Sequence, residues 1–121
     1  MGAIVKMELP GGGGTQLKTY KKGKWAIGGI AAACDICDSA SVTEALDAAT
    51  AAHGVPRIVM NIAGIGTAKR IVAKDGSPAP LEDFERVIRV NLIGTYNVAR
   101  LAAARIVALE ALANGERGVM V

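Results

Sequence analysis

The chain predicts an α/β domain built on a parallel sheet. Two observations carry this. Short apolar runs at 25–34, 56–61 and 118–121 are too brief for helices, and amphipathic helical patterns at 41–54 and 81–114 separate them. Strands that alternate with helices return to one side of a sheet, which is the arrangement of parallel βαβ units. The length, 121 residues, suits one domain or slightly less. Hydrophobic residues make up 51% and charged residues 21%, which excludes bulk disorder. With aromatics at 3%, the expected core is aliphatic. No apolar run approaches the ~18 residues of a membrane span. The start, MGAIVKMELP, lacks a basic segment followed by a long apolar one, so no secretory signal is expected. With only two cysteines, a reduced, cytoplasmic setting is expected.

The first quarter differs from the rest. Residues 1–33 carry Lys6, Lys18, Lys21, Lys22 and Lys24 against Glu8 alone, while the remainder is nearly neutral. Gly11 to Gly14 read as a loop after a possible strand at Ala3–Leu9. A boundary is therefore placed near residue 25: an atypical basic, Gly-rich segment at 1–25, and a regular domain at 26–121. The basic excess belongs to that segment, so a nucleic-acid partner is not expected for the domain.

Within the domain, Trp25–Cys34 reads as a buried strand. Ser41-Val42-Thr43-Glu44 is a capping box that starts a helix. Leu46, Ala49 and Ala52 continue it, and Gly54 stops it. Pro56–Asn61 reads as a strand and Ile62–Pro80 as a loop punctuated by Gly64, Gly66, Gly76 and Pro78. One long helix is expected over Leu81–Asn114. Glu82, Asp83 and Glu85 load its first turn, as the helix dipole favours. Its apolar stripe includes Leu81, Phe84, Leu92, Tyr96, Ala102, Ile106 and Leu112. Gly118–Val121 begins a last strand.

Three stretches, in order and at fitting spacing, resemble the short-chain dehydrogenase/reductase family. They are Asp35-Ile36 after a strand, Asn61-Ile62-Ala63-Gly64 at the end of another, and Val90-Asn91-Leu92-Ile93-Gly94-Thr95-Tyr96-Asn97-Val98 on the long helix. The segment from Gly64 through Leu81-Glu82-Asp83-Phe84 is most similar to the branch that oxidises 3-hydroxyacyl-CoA. The resemblance covers about residues 34–121. It implies the central portion of a Rossmann fold, with flanking helices and a nicotinamide cofactor, NAD with NADP not excluded. It implies that Asp35 and Ile36 meet the adenine, that Asn61, Ile62, Ala63 and Gly64 line the adjoining ribose, and that Asn91 is an active-site residue holding a water in a proton relay. It implies hydride transfer on a secondary alcohol, and an oligomer formed through the helix at 81–114. Residue type alone leaves other roles open: Asp35 as a turn cap, Asn91 as a solvated helix position, Ala63-Gly64 as a tight loop.

Departures from the family pattern are equally specific. No Thr-Gly-x-x-x-Gly-x-Gly phosphate loop occurs, and no Ser followed by Tyr-x-x-x-Lys on a helix. Tyr20-Lys21-Lys22-Gly23-Lys24 matches the spacing but contains a glycine and lacks a helical context. Tyr96 pairs at i+4 with Arg100, which stays protonated. The chain alone is therefore expected to be inactive, with a non-catalytic interaction role through the long helix as the alternative. Cys34-Asp35-Ile36-Cys37 and His53 supply too few ligands for zinc, and no metal site is expected.

Overall fold

The computed structural model of the chain describes Ile30 and residues 32–121. The strand expected at Ala3–Leu9, the glycine run, the Tyr20–Lys24 pair and most of Trp25–Cys34 lie outside the described residues. Ala32–Cys34, the part of that run inside them, has no regular structure.

The elements follow in the order α1 (Ser39–His53), β1 (Ile58–Val59), α2 (Leu81–Ile88), a π-helical segment (Arg89–Gly94), α3 (Thr95–Ile106) and β2 (Val119–Met120). The two strands pair in parallel, Ile58 beside Val119 and Val59 beside Met120. Both are shorter than their apolar runs suggest. The ladder is closed by Val119 N–H to the Arg57 carbonyl at 2.8 Å and Val121 N–H to the Val59 carbonyl at 2.9 Å.

Helix α1 starts two residues before the capping box. Asp38, not Ser41, is the N-cap: its carboxylate accepts from the Ser41 N–H at 2.9 Å and the Ala40 N–H at 3.4 Å. Asp38 offers two acceptor oxygens to the orphan amides where Ser41 offers one hydroxyl. That hydroxyl instead accepts the Asp35 N–H at 2.9 Å, tying the preceding turn to the helix. The stop at Gly54 is as expected, with φ of 81°. A left-handed residue there favours glycine.

The long helix is shorter and less regular than its stripe. It ends at Ile106, not Asn114, and the π segment divides it. Helix α2 buries no residue, whereas α3 buries Asn97, Val98, Ala102 and Ile106. Leu81, Phe84, Leu92 and Tyr96 of the apolar stripe are exposed. The core lies between α1, α3 and β1. It holds Cys34, Ile36, Val42, Ala45, Leu46, Val59, Val90, Val98, Ala102 and Ile106. Each aliphatic side chain of this kind contributes roughly 1.5–3 kcal/mol when fully buried. Arg105 straps the helix pair, reaching Asp47 at 2.7 Å and the Thr43 carbonyl at 3.3 Å.

The loop at 62–80 is mostly irregular, as expected. Its far part folds back through an antiparallel bridge between Val72 and Pro78. No helix among the described residues is long and apolar enough to cross a membrane.

Candidate functional site

The predicted site residues fall on a turn, a loop and a helix, and one short segment touches all three. The turn is Asp35–Asp38, closed by the Asp38 N–H to the Asp35 carbonyl at 3.1 Å. Asp35 Oδ1 accepts the Cys37 N–H at 2.9 Å, so Asp35 does cap the turn. Its other oxygen has no hydrogen bond among the described residues, and neither has the Ile36 N–H. The Ile36 side chain is 2% exposed, and its carbonyl accepts from Asn97 Nδ2 at 2.9 Å.

The loop follows β1. Asn61 turns toward the sheet: its N–H and its Nδ2 both reach the Val121 carbonyl, at 2.6 and 3.3 Å. Ile62 is exposed, and Ala63 and Ile65 pack against the core. No hydrogen bond among the described residues engages the backbone of Ile62, Ala63 or Gly64. A stretch of small residues with open peptide groups is what a close-lying sugar needs.

Asn91 sits in the π segment and clamps that loop. Its Nδ2 donates to the Ile65 carbonyl and its Oδ1 accepts the Ile65 N–H, both at 2.8 Å. The Asn91 amide is therefore engaged at both ends. Gly64 lies beside it, its pro-chiral position 3.4 Å from Asn91 Oδ1. π-helical turns occur frequently at functional sites, and this one aims Asn91 at the loop.

Two residues that lie in the third motif, but to which sequence reasoning gives no role, complete the arrangement. A side chain on Gly94 would come within 2.6 Å of Ile36 Cγ1, so the helix approaches the turn closely only because Gly94 has none. Asn97 is buried, at 6% exposure. Both had a signal: a mid-helix glycine costs ~1 kcal/mol in propensity, and an amide on an apolar helix face needs partners.

Elsewhere the chemistry is quiet. Burial pushes both thiols, Cys34 and Cys37, above their ordinary pKa, which is unfavourable for a reactive thiolate. His53 closes α1 half-buried, its Nε2 without a partner among the described residues. No cluster of metal-ligand residues occurs among the described residues. A cavity of about 410 Å³ is lined by Lys69, Arg70, Lys74 and Pro78 among others, and none of the predicted site residues lines it.

A βαβ arrangement, with loops beyond β1 and around the helix start bringing open peptide groups together, is a nucleotide-binding type of α/β fold. The comparisons give the class its family. A family sequence model described as enoyl-(acyl carrier protein) reductase matches residues 14–115. 3-Hydroxyacyl-CoA dehydrogenase type-2 of Homo sapiens is 36% identical over 120 residues, covering 98% of this chain and 44% of that protein. The Bos taurus protein of the same name is 40% identical over 119 residues, covering 97% and 44%. Among solved structures, 3-hydroxyacyl-CoA dehydrogenase type-2 from Mycobacterium avium is 42% identical with a TM-score of 0.70, covering 76% of this chain and 36% of that one. A 3-ketoacyl-(acyl-carrier-protein) reductase from Brucella melitensis, complexed with NADH, is 32% identical with a TM-score of 0.56, over 64% and 31%.

The chain belongs to the short-chain dehydrogenase/reductase family, and its described residues form part of that family's Rossmann fold. It spans less than half the length of the curated relatives it matches. The similarity also runs into the first quarter, beyond the 34–121 on which the three motifs rest.

Proposed function

We propose that this chain supplies the adenosine side of a nicotinamide-dinucleotide site, from a dehydrogenase acting on a secondary alcohol of the 3-hydroxyacyl-CoA class. The observation that carries it is the grip of residues 89–97 on both the Asp35–Ile36 turn and the Asn61–Ile65 loop. Asp35 Oδ2 and the Ile36 N–H offer an acceptor and a donor to an adenine edge, and the open backbone at Ile62–Gly64 faces the ribose. These groups fit the cofactor, which when bound supplies hydride transfer. Asn91 fixes the loop. One N–H of Nδ2 and one lone pair of Oδ1 are left over among the described residues, beside the loop, for a relay water. A carboxamide does not titrate, so Asn91 cannot itself be the acid or base.

The same residues argue against turnover by these 121 residues alone. Tyr96 stands one helical turn from Arg100, whose guanidinium is bonded to Asn97 and Ser39. The test is a calorimetric titration with AMP, with NADH, and with NADH plus acetoacetyl-CoA. AMP and NADH binding is expected, weakened about tenfold in Asn91→Ala as two hydrogen bonds to the loop are lost. No NADH oxidation is expected. Absence of AMP and NADH binding sinks the nucleotide reading, and turnover sinks the inactive one.

A second reading has its own support. Phe84, Leu92, Ile93 and Tyr96 are 51–68% exposed on one continuous helical run. Exposed apolar surface of this kind marks interfaces. The chain is expected to sediment as a dimer or larger, and Phe84→Lys with Tyr96→Glu to shift it to monomer. A wild-type monomer at high concentration removes this reading.

A further inference from the structure

We propose that Asn97 is a positioning residue for the nucleotide site, its carboxamide setting the shape in which the Asp35–Ile36 turn meets an adenine base. The inference rests on the reading above that this turn takes adenine. Asn97 lies on α3, six residues beyond Asn91, and is not itself among the groups expected to touch a nucleotide, yet it is more than nine-tenths buried and bonded to Ile36, which is among them.

Its orientation is fixed from one side. Asn97 Oδ1 accepts from Ser39 Oγ at 3.0 Å, from Arg100 Nε at 3.1 Å and from Arg100 Nη2 at 2.7 Å. Arg100 Nη2 also donates to Ser39 Oγ at 2.7 Å. A flipped amide would set its NH2 against the guanidinium, so the donor end must face the other way. There Nδ2 donates to the Ile36 carbonyl at 2.9 Å, joining α3 to the backbone of this turn.

Besides Cys37 Sγ, which donates to the Arg89 carbonyl at 3.4 Å, three contacts hold the turn. Asn97 takes the Ile36 carbonyl, the close face of Gly94 receives the Ile36 side chain, and Ser41 takes the Asp35 N–H. What they leave open is the Ile36 N–H and one Asp35 oxygen. Pinning the carbonyl sets the plane of the peptide that follows Ile36, and with it the Cys37 N–H that fixes the Asp35 carboxylate. A loss at Asn97 should therefore reach the base-recognising groups without removing any of them.

Asn97→Asp separates this role from simple support. It keeps the acceptor for Ser39 and Arg100, gains an ion pair with Arg100, and replaces only the donor by an oxygen that repels the Ile36 carbonyl. AMP is the probe, because it reports the adenosine side alone. The Asp variant is expected to bind AMP about tenfold more weakly, and its Cys37 amide to exchange faster in native-state hydrogen exchange. Arg105→Met is the control: it loosens the same helix pair at the Asp47 strap, far from the turn, and should leave AMP affinity within about twofold. If Asn97→Asp does not fold, Asn97→Ser, too short to reach the carbonyl, serves with the same expectation. Wild-type AMP affinity in a folded variant overturns the inference, and so does an equal loss in Arg105→Met. Failure of the wild-type chain to bind AMP overturns the nucleotide reading first and this one with it.

Discussion

Gly118→Ala should cost about 3 kcal/mol in urea unfolding, the upper range for forcing a methyl into packed space. A Cβ at this position would lie 2.5 Å from the Arg57 carbonyl oxygen and 2.9 Å from Ile106 Cγ2. The first of these is backbone, at the start of β1, and the same carbonyl accepts the Val119 N–H that begins the ladder. It cannot swing aside as a side chain tip can. The substitution must push β2 away from β1 or α3 away from both. Unchanged stability would mean that the segment before β2 does not dock against Arg57.

Gly94→Ala is expected to reverse sign with its partner. In a helix alanine gains up to about 1 kcal/mol over glycine. Here the new methyl meets Ile36 Cγ1 at 2.6 Å and Cδ1 at 2.7 Å. Ile36 is 2% exposed and held by its carbonyl, so the clash prevails, and a net loss of about 1–2 kcal/mol is expected. Removing the two clashing carbons with Ile36→Ala leaves only Cβ, at 3.4 Å. In that background Gly94→Ala should become neutral or stabilising, a coupling of about 2 kcal/mol by double-mutant cycle. Additive effects would refute the close approach of this helix to the turn.

Much of this architecture is legible in the chain because it is written locally. The parallel pairing follows from alternation of strand and helix, and helix α1 from its caps and periodicity. Its start was misplaced because Asp38 and Ser41 are both good caps, and only the Asp35 N–H, waiting for the Ser41 hydroxyl, decides between them. The end of the long helix was misplaced for a non-local reason. Asn114-Gly115 is a strong stop, but the helix ends at Ile106, and carbonyls beyond it are met by the distant Arg57 and by Arg117, eight residues past Leu109. Arg57 donates to the Glu110 and Arg117 carbonyls, and Arg117 to that of Leu109. Nothing near residue 106 in sequence announces a donor some fifty positions away.

The candidate site divides the same way. Asp35, Ile36, Asn61–Gly64 and Asn91 are readable as motifs, each on its own segment. That Asp35 also caps its turn shows that the two readings of one residue are compatible: one carboxylate oxygen suffices for the cap. What the motifs do not carry is how they are joined. That is the work of Gly94 and Asn97, one missing a side chain and the other buried, whose sequence signals mark a close approach and a need for partners but do not name what they meet.

The π segment turns the helix into a ruler with a fixed phase. An α-helical residue advances its side chain by about 100°. The wider turn at Arg89–Gly94 offsets α3 from α2, so that Asn91 reaches Ile65 while Asn97, on the same run, reaches Ile36. A residue lost or gained between them would rotate one contact off its target while the other stayed in place. The loop at 66–80 meets α2 through the Lys69–Asp83 ion pair, whereas the span from Asn91 to Asn97 sets both amide contacts and admits no change in length. In this chain, the spacing between two amides is as much a part of the site as the amides themselves.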